Sequence, residues 1–257
     1  MGHSIRRGRT CLGAGLLLLL SPFVCAQQTL PYFADFESSA TLGSLPPGWT
    51  ADPPSSAFVE DTVAKDGAQA LEITTGAAVN QTFTDAPSIV WIDGWQKGEP
   101  SNVYPDLSAL SSGTAIVAFR DTGIFCLNGD GLSSGTWTNT SVVPTSGTWY
   151  RVTLKLNYAP GQKKYDCYVN GVLRLSGLGF FSNGAESNQL HGFQASAGSS
   201  PAFLDSLYVN STRVTQDRLL DYLTGQAGLS DQVERDAADR NGDGDIDVAD
   251  LIFVVPY

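Results

Sequence analysis

The most specific chemistry in this 257-residue chain lies in six oxygen-bearing side chains near its C-terminus. In Asp239-Arg-Asn-Gly-Asp-Gly-Asp-Ile-Asp-Val-Ala-Asp250, residues Asp239, Asn241 and Asp243 occupy positions 1, 3 and 5 of a twelve-residue loop. Gly244 at position 6 allows a sharp turn, and Asp245 at position 7 offers its backbone carbonyl. Ile246 anchors the loop to a core, Asp247 at position 9 acts through water, and Asp250 closes the site. Hard oxygens alternating in this way form a ligand set for Ca2+. Carboxylates this close repel one another without a cation, so Ca2+ is the expected cofactor and should order the segment.

A second group of residues could bind a sugar. In Ile89-Val-Trp-Ile-Asp-Gly-Trp, strand alternation puts Trp91, Asp93 and Trp95 on one face, with Val90 and Ile92 on the other. Trp137, in the Gly/Ser/Thr-rich stretch 133–139, reads as a loop aromatic. Aromatic faces receive the C–H faces of sugars while polar groups fix the hydroxyls. The alternative is that these tryptophans, with Trp49, fill a core. Glu37 and Asp205 raise a smaller question, since they could share a structural Ca2+ or simply cap loops.

The elements that must hold these groups are mostly strands. Between 27 and 209 the chain runs in short alternating segments split by Gly, Pro, Ser and Asn. Candidate strands are 70–74, 79–83, 89–95, 114–120, 149–158, 164–169, 172–175, 189–194 and 203–209, with a further strand-like run from Gly123 to Leu127. Tyr150, Val152, Leu154 and Leu156 alternate with Arg151, Thr153, Lys155 and Asn157. Asn170-Gly171 joins the next two strands in a two-residue turn that needs positive φ at both positions. Many short strands with regular turn signals predict a mainly β, antiparallel two-sheet sandwich or jelly roll. After residue 210 the pattern changes. Leu219, Leu220 and Leu223 share a helical face that follows Thr215 and ends at Gly225, which predicts a small helical C-terminal module over 210–257.

The N-terminal stretch 1–26 reads as a secretory signal peptide. Arg6, Arg7 and Arg9 precede an apolar run around Leu16–Leu20, and Val24-Cys25-Ala26 leaves a small residue before Gln27. The run is too short to span a bilayer, which argues against a membrane anchor. Export would leave two cysteines, Cys126 and Cys167, which either bond to each other in an oxidising compartment or remain as buried free thiols. A net charge of −11 speaks against nucleic acid, whose phosphates require a basic face.

Two resemblances extend this reading. Gly147-Thr-Trp-Tyr-Arg-Val-Thr-Leu-Lys-Leu-Asn followed by Lys164-Tyr-Asp-Cys-Tyr-Val-Asn-Gly-Val resembles the hairpin of concanavalin A-like and laminin-G-like jelly rolls. Phe36-Glu37, Gly48-Trp49 and Phe203-Leu-Asp-Ser-Leu-Tyr-Val resemble their first and last strands. The resemblance implies the fold for 27–209, and a lectin, glycosidase, lyase or adhesion role, because function lives in the site rather than the fold. Glycosidases of this fold carry Glu-x-Asp-x-x-Glu, a string absent here. A lyase would be expected to combine Tyr or His with Arg and Gln, for which Gln189, His191, Arg120 and Tyr168 are available.

The calcium loop, closed by Asp250 and followed by Leu251-Ile252, resembles a dockerin type I repeat. That implies a cohesin-like or cell-envelope partner. A shift of 32 residues aligns the helix face of 214–223 with 246–255, but Leu207, Val209 and Ser211 replace the first loop's ligands. Val248 and Ala249 stand at the partner-recognition positions in place of a hydroxyl pair. Together these observations lead to the expectation of a secreted protein that binds a polysaccharide or cell-surface glycan, with a Ca2+-dependent tail for attachment. A polysaccharide-degrading enzyme and a structural surface protein without sugar binding are the alternatives.

Overall fold

Period-two burial organises the sandwich. The computed structural model describes residues 27–37, 41–109, 113–184 and 187–211, with Leu223, Gly225 and Ile246. The predicted signal peptide and nearly all of the C-terminal module, its calcium loop included, lie outside the described residues. Among the described residues, no helix is long and apolar enough to cross a membrane.

The large sheet is antiparallel. It contains β3 (Ala57–Glu60), β4 (Ala70–Ile73), β6 (Ile89–Gly98), β10 (Trp149–Asn157), β11 (Lys164–Val169), β12 (Val172–Gly179) and β14 (Ala202–Asn210). Its order is β12-β11-β10-β6-β14-β4-β3, with the short β1 (Tyr32–Ala34) also paired to β14. Strands far apart in sequence are therefore neighbours, as jelly-roll windings require. The opposing layer differs from the single second sheet that the sequence predicts. It is split into β2 (Thr50–Asp52), β5 (Ala78–Thr82) and β13 (Gly192–Ser196) on one side, and β7 (Val117–Arg120), β8 (Gly123–Gly129) and β9 (Gly135–Asn139) on the other.

The core sits between these layers. Leu71, Val90, Ile92, Val152, Leu156, Leu204 and Leu207 point inward from the large sheet to meet Val79, Phe83, Ile124 and Cys126. Each is buried almost completely, and burial of apolar side chains on this scale is the main source of stability.

Two local features shape the face turned away from that core. The Asn170–Gly171 turn has φ of 50° and 77°, as the turn type demands, and Val169 pairs with Val172 across it. In β14, Asp205 pairs with Trp95 but Tyr208 with Asp93, so one extra residue is inserted as a bulge, with Ser206 at φ 48°. The bulge keeps Asp205 and Tyr208 on the same face while Leu204 and Leu207 enter the core.

Candidate functional site

Cross-strand partners share a face, so the register of the large sheet reveals which side chains line the side turned away from the core. The outermost row runs over five strands: Phe58 pairs with Glu72, Glu72 with Phe203, Phe203 with Lys97, and Lys97 with Trp149. All five residues are half-buried. The Trp149 and Phe203 rings meet edge to face with centroids 6.4 Å apart. The Lys97 ammonium lies 5.3 Å from the Phe203 ring and 5.9 Å from the Trp149 ring. One aromatic row thus stays open to solvent at the rim of the face.

The next row is Asp205, Trp95 and Arg151. Behind it come Tyr208, Asp93, Thr153 and Tyr168, then Asn210, Trp91, Lys155 and Asp166. Here the expected sugar site is internally engaged. Asp93 is 6% exposed and faces Arg151, also 6% exposed. Arg151 Nε donates to both Asp93 oxygens at 3.0 and 3.2 Å, its Nη2 also contacts Oδ2, and Thr153 Oγ1 donates to Oδ1 at 2.7 Å. A bidentate pair of this kind is strong and directional. Trp91 is 7% exposed, with its ring 6.0 Å from that of Tyr168 and 5.3 Å from the Lys155 ammonium.

Trp95 is half-buried beneath the Lys65 ammonium, 4.4 Å from its ring. The loop over 61–69 delivers that lysine, and three carboxylates from three directions hold the loop's backbone. Glu60 accepts from Thr62 and Val63 N–H, Asp205 from Lys65 and Asp66 N–H, and Glu37 from Ala68 and Gln69 N–H. Gly67 has φ 62°, and a Cβ there would lie 2.3 Å from the Glu37 carboxylate, so the clasp requires glycine. Glu37 and Asp205 accordingly serve as caps. Among the described residues no three His, Cys, Asp or Glu side chains gather as metal ligands. Burial is the main cause that pushes Asp205 up to about 7; the Asp66 and Lys65 N–H groups oppose it.

The remaining predicted site residues fall elsewhere. Trp137 lies on β9 and not in a loop. The Gly/Ser content of 133–139 conceals an alternating Thr136-Trp137-Thr138, and a Cβ on Gly135 would press to 2.5 Å from the Asn128 carbonyl. The Trp137 ring stacks on Tyr104 at 4.7 Å and 8°, and the Arg120 guanidinium caps Tyr104 at 4.0 Å. Trp91, Asp93 and Trp95 do share one face, but Trp137 belongs to the other layer.

Cys126 and Cys167 are buried free thiols in contact across the two layers, and that contact, with burial, pushes the Cys126 thiol upward. Gln189, His191, Arg120 and Tyr168 do not form one constellation. Tyr168 packs on Trp91, Arg120 on Tyr104, and the His191 carbonyl accepts from Phe83 N–H at the edge of the second layer. Of the metal-loop residues Asp239, Asn241, Asp243, Asp245, Asp247 and Asp250, none is among the described residues.

Sequence reasoning missed Trp149 and Phe203. The available signal was parity: Trp149 alternates with Tyr150 and so belongs with Arg151 and Lys155 on the polar side.

No family model and no curated protein sequence matches the chain. Among solved structures, it overlaps a cellulose-induced protein, Cip1, at 13% identity and TM-score 0.45, covering 71% of this chain and 98% of that one. It also overlaps domain 4 of a family GH43 extracellular arabinanase from Geobacillus stearothermophilus in complex with arabinotriose (15% identity, TM-score 0.38, 64% and 80% covered). A mutant alginate lyase in complex with an alginate tetrasaccharide overlaps at 14% identity and TM-score 0.40, with 62% and 85% covered.

Proposed function

We propose that the protein is a secreted carbohydrate-binding β-sandwich whose outer sheet face receives a polysaccharide, and whose 210–257 segment binds Ca2+ and attaches it to a partner. One observation carries the binding reading: the half-buried aromatic row of Phe58, Phe203 and Trp149 at the rim of a sheet face whose middle, from Asp205 and Arg151 to Asp93, Thr153 and Tyr168, is buried. Large flat rings set on rigid strands, with polar neighbours, are a means by which proteins grip the apolar faces of sugars. The wells of this face that look most like a pocket for hydroxyls, around Asp93, are filled by Arg151 and Thr153, so the rim is where ligand contact belongs.

The attachment role rests on the oxygen spacing from Asp239 to Asp250. It calls for a cohesin-like or cell-envelope partner and for a chain that has passed through an export system.

Affinity electrophoresis against a panel of soluble polysaccharides tests the binding role. Trp149→Ala and Phe203→Ala should lose retention and keep the wild-type melting temperature to within a few degrees. Full retention by both variants would remove the row from the binding role. For the tail, calorimetry should detect Ca2+ binding that Asp239→Ala with Asp243→Ala abolishes. Equal proteolysis of the tail with and without chelator would contradict a calcium-ordered module.

A further inference from the structure

The rim is defined by its cations as well as its rings. This chain has five lysines, Lys65, Lys97, Lys155, Lys163 and Lys164. Four of the five stand on or over the outer face of the large sheet, Lys164 through its pairing with Asn157, and three of these lie over an aromatic ring there: Lys65 over Trp95, Lys97 over Phe203 and Trp149, and Lys155 over Trp91.

The carboxylates of the same face are engaged elsewhere. Asp66 pairs with Lys65 at 2.8 Å, and Asp93 pairs with Arg151. Asp205 accepts two backbone N–H groups, and Asp166 accepts from Gly177 N–H at 2.8 Å. Glu72, in the aromatic row, has its pKa raised by burial and by Glu60. Lys97 and Lys155 make no ion pair among the described residues. Two ammonium groups are thus held beside apolar ring faces without a carboxylate of their own. A stem that merely covered a ring could equally end in an amide; the ammonium adds an affinity for negative charge.

Resting on the reading of this face as the glycan site, we propose that its ligand is an anionic polysaccharide. Its sugar rings would lie on Trp149 and Phe203, and its acidic groups would be met by Lys97 and, further along the face, Lys155. A charge-assisted hydrogen bond from an ammonium to a carboxylate or sulfate supplies selectivity that aromatic stacking lacks, since every sugar has an apolar face.

Lys163 provides an internal control. It lies before β11 and lines a cleft of about 390 Å3 with Gly129, Gly179 and Asn183, its ammonium donating to the Asn183 carbonyl at 3.0 Å. If simple positive charge were enough, it would serve as well as the rim.

The test uses the full chain and matched polymers: polygalacturonate against its carboxyl-reduced form, and dextran sulfate against dextran. The expected result is retention of at least one acidic polymer about tenfold or more above its neutral partner, as one charge-assisted contact provides. Which acidic polymer is held tells carboxylate from sulfate. That preference should fall with added salt and be lost in Lys97→Gln with Lys155→Gln at an unchanged melting temperature. It should return in Lys97→Arg with Lys155→Arg and survive the cleft variant Lys163→Gln. Equal retention of acidic and neutral polymers overturns the anionic ligand and leaves glycan binding standing. Retention of no glycan overturns both. A preference that persists in the rim double variant, or disappears in the cleft variant, also overturns the proposal.

Discussion

Replacing Asp93 with Asn probes the largest electrostatic commitment on the outer face. The substitution keeps the shape of the side chain and removes its charge, leaving the Arg151 guanidinium 6% exposed and without its carboxylate. Removing one partner of a buried ion pair costs about 3–5 kcal/mol, because the surviving charge stays desolvated. Among the described residues Arg151 Nε and Nη2 and Thr153 Oγ1 all donate to Asp93, and this places the expected loss toward the upper half of that range. For a sandwich of this length the loss corresponds to a melting temperature lower by roughly 8–15 °C. Differential scanning calorimetry measures it. Asp93→Leu with Arg151→Met should recover most of the loss, because two apolar side chains remove both desolvation penalties. A drop below about 2 °C for Asp93→Asn would show that water reaches the pair, and the argument from burial would fail. Loss of glycan retention at an unchanged melting temperature would refute it differently, by returning Asp93 to the ligand.

The same geometry fixes three further outcomes. Cys126 and Cys167 are free thiols in contact, and a bond made between them on oxidation would close a loop of about 40 residues, worth about 4 kcal/mol, so oxidised protein should melt about 10 °C above its reduced form. Two free thiols titrated in unfolded, unreduced protein would rule the bond out. Asp205, raised to about 7 by burial, makes the folded state bind the proton more tightly than the unfolded chain does. Its contribution to stability is therefore full below its ordinary value near 4 and lost as pH rises through about 7, and Asp205→Asn should flatten the resulting fall in melting temperature between about pH 4 and pH 7. An identical pH profile in the variant would exclude Asp205 as its source. Gly67→Ala forces a Cβ against the Glu37 carboxylate at a left-handed position and should cost about 1–2 kcal/mol, read by denaturant titration; a neutral result would mean the loop refolds around it.

What the sequence made legible was local. The Asn170–Gly171 turn, the bounds of β11 and the shared face of Trp91, Asp93 and Trp95 follow from residue type and parity, which need no knowledge of distant partners. What it concealed was register. That Asp93 would face Arg151 depends on pairing two strands 58 residues apart, and no pattern inside either strand encodes that choice. The row from Phe58 to Trp149 needs four such pairings at once. Strand β9 was missed for another reason: its first residue, Gly135, serves close backbone approach, and with Ser133 and Ser134 just before it composition alone reads the stretch as a loop.

Strand β14 gives the open row its place relative to the rest of the chain. Phe203 in the aromatic row and Val209, paired with Tyr32 of β1, lie six residues apart on it, a span of about 20 Å. The strand ends at Asn210, so the open row and the point where the sandwich hands the chain on are the two ends of one rigid element. A substitution at Phe203 therefore acts about 20 Å from that point and can be read apart from any change made beside Asn210.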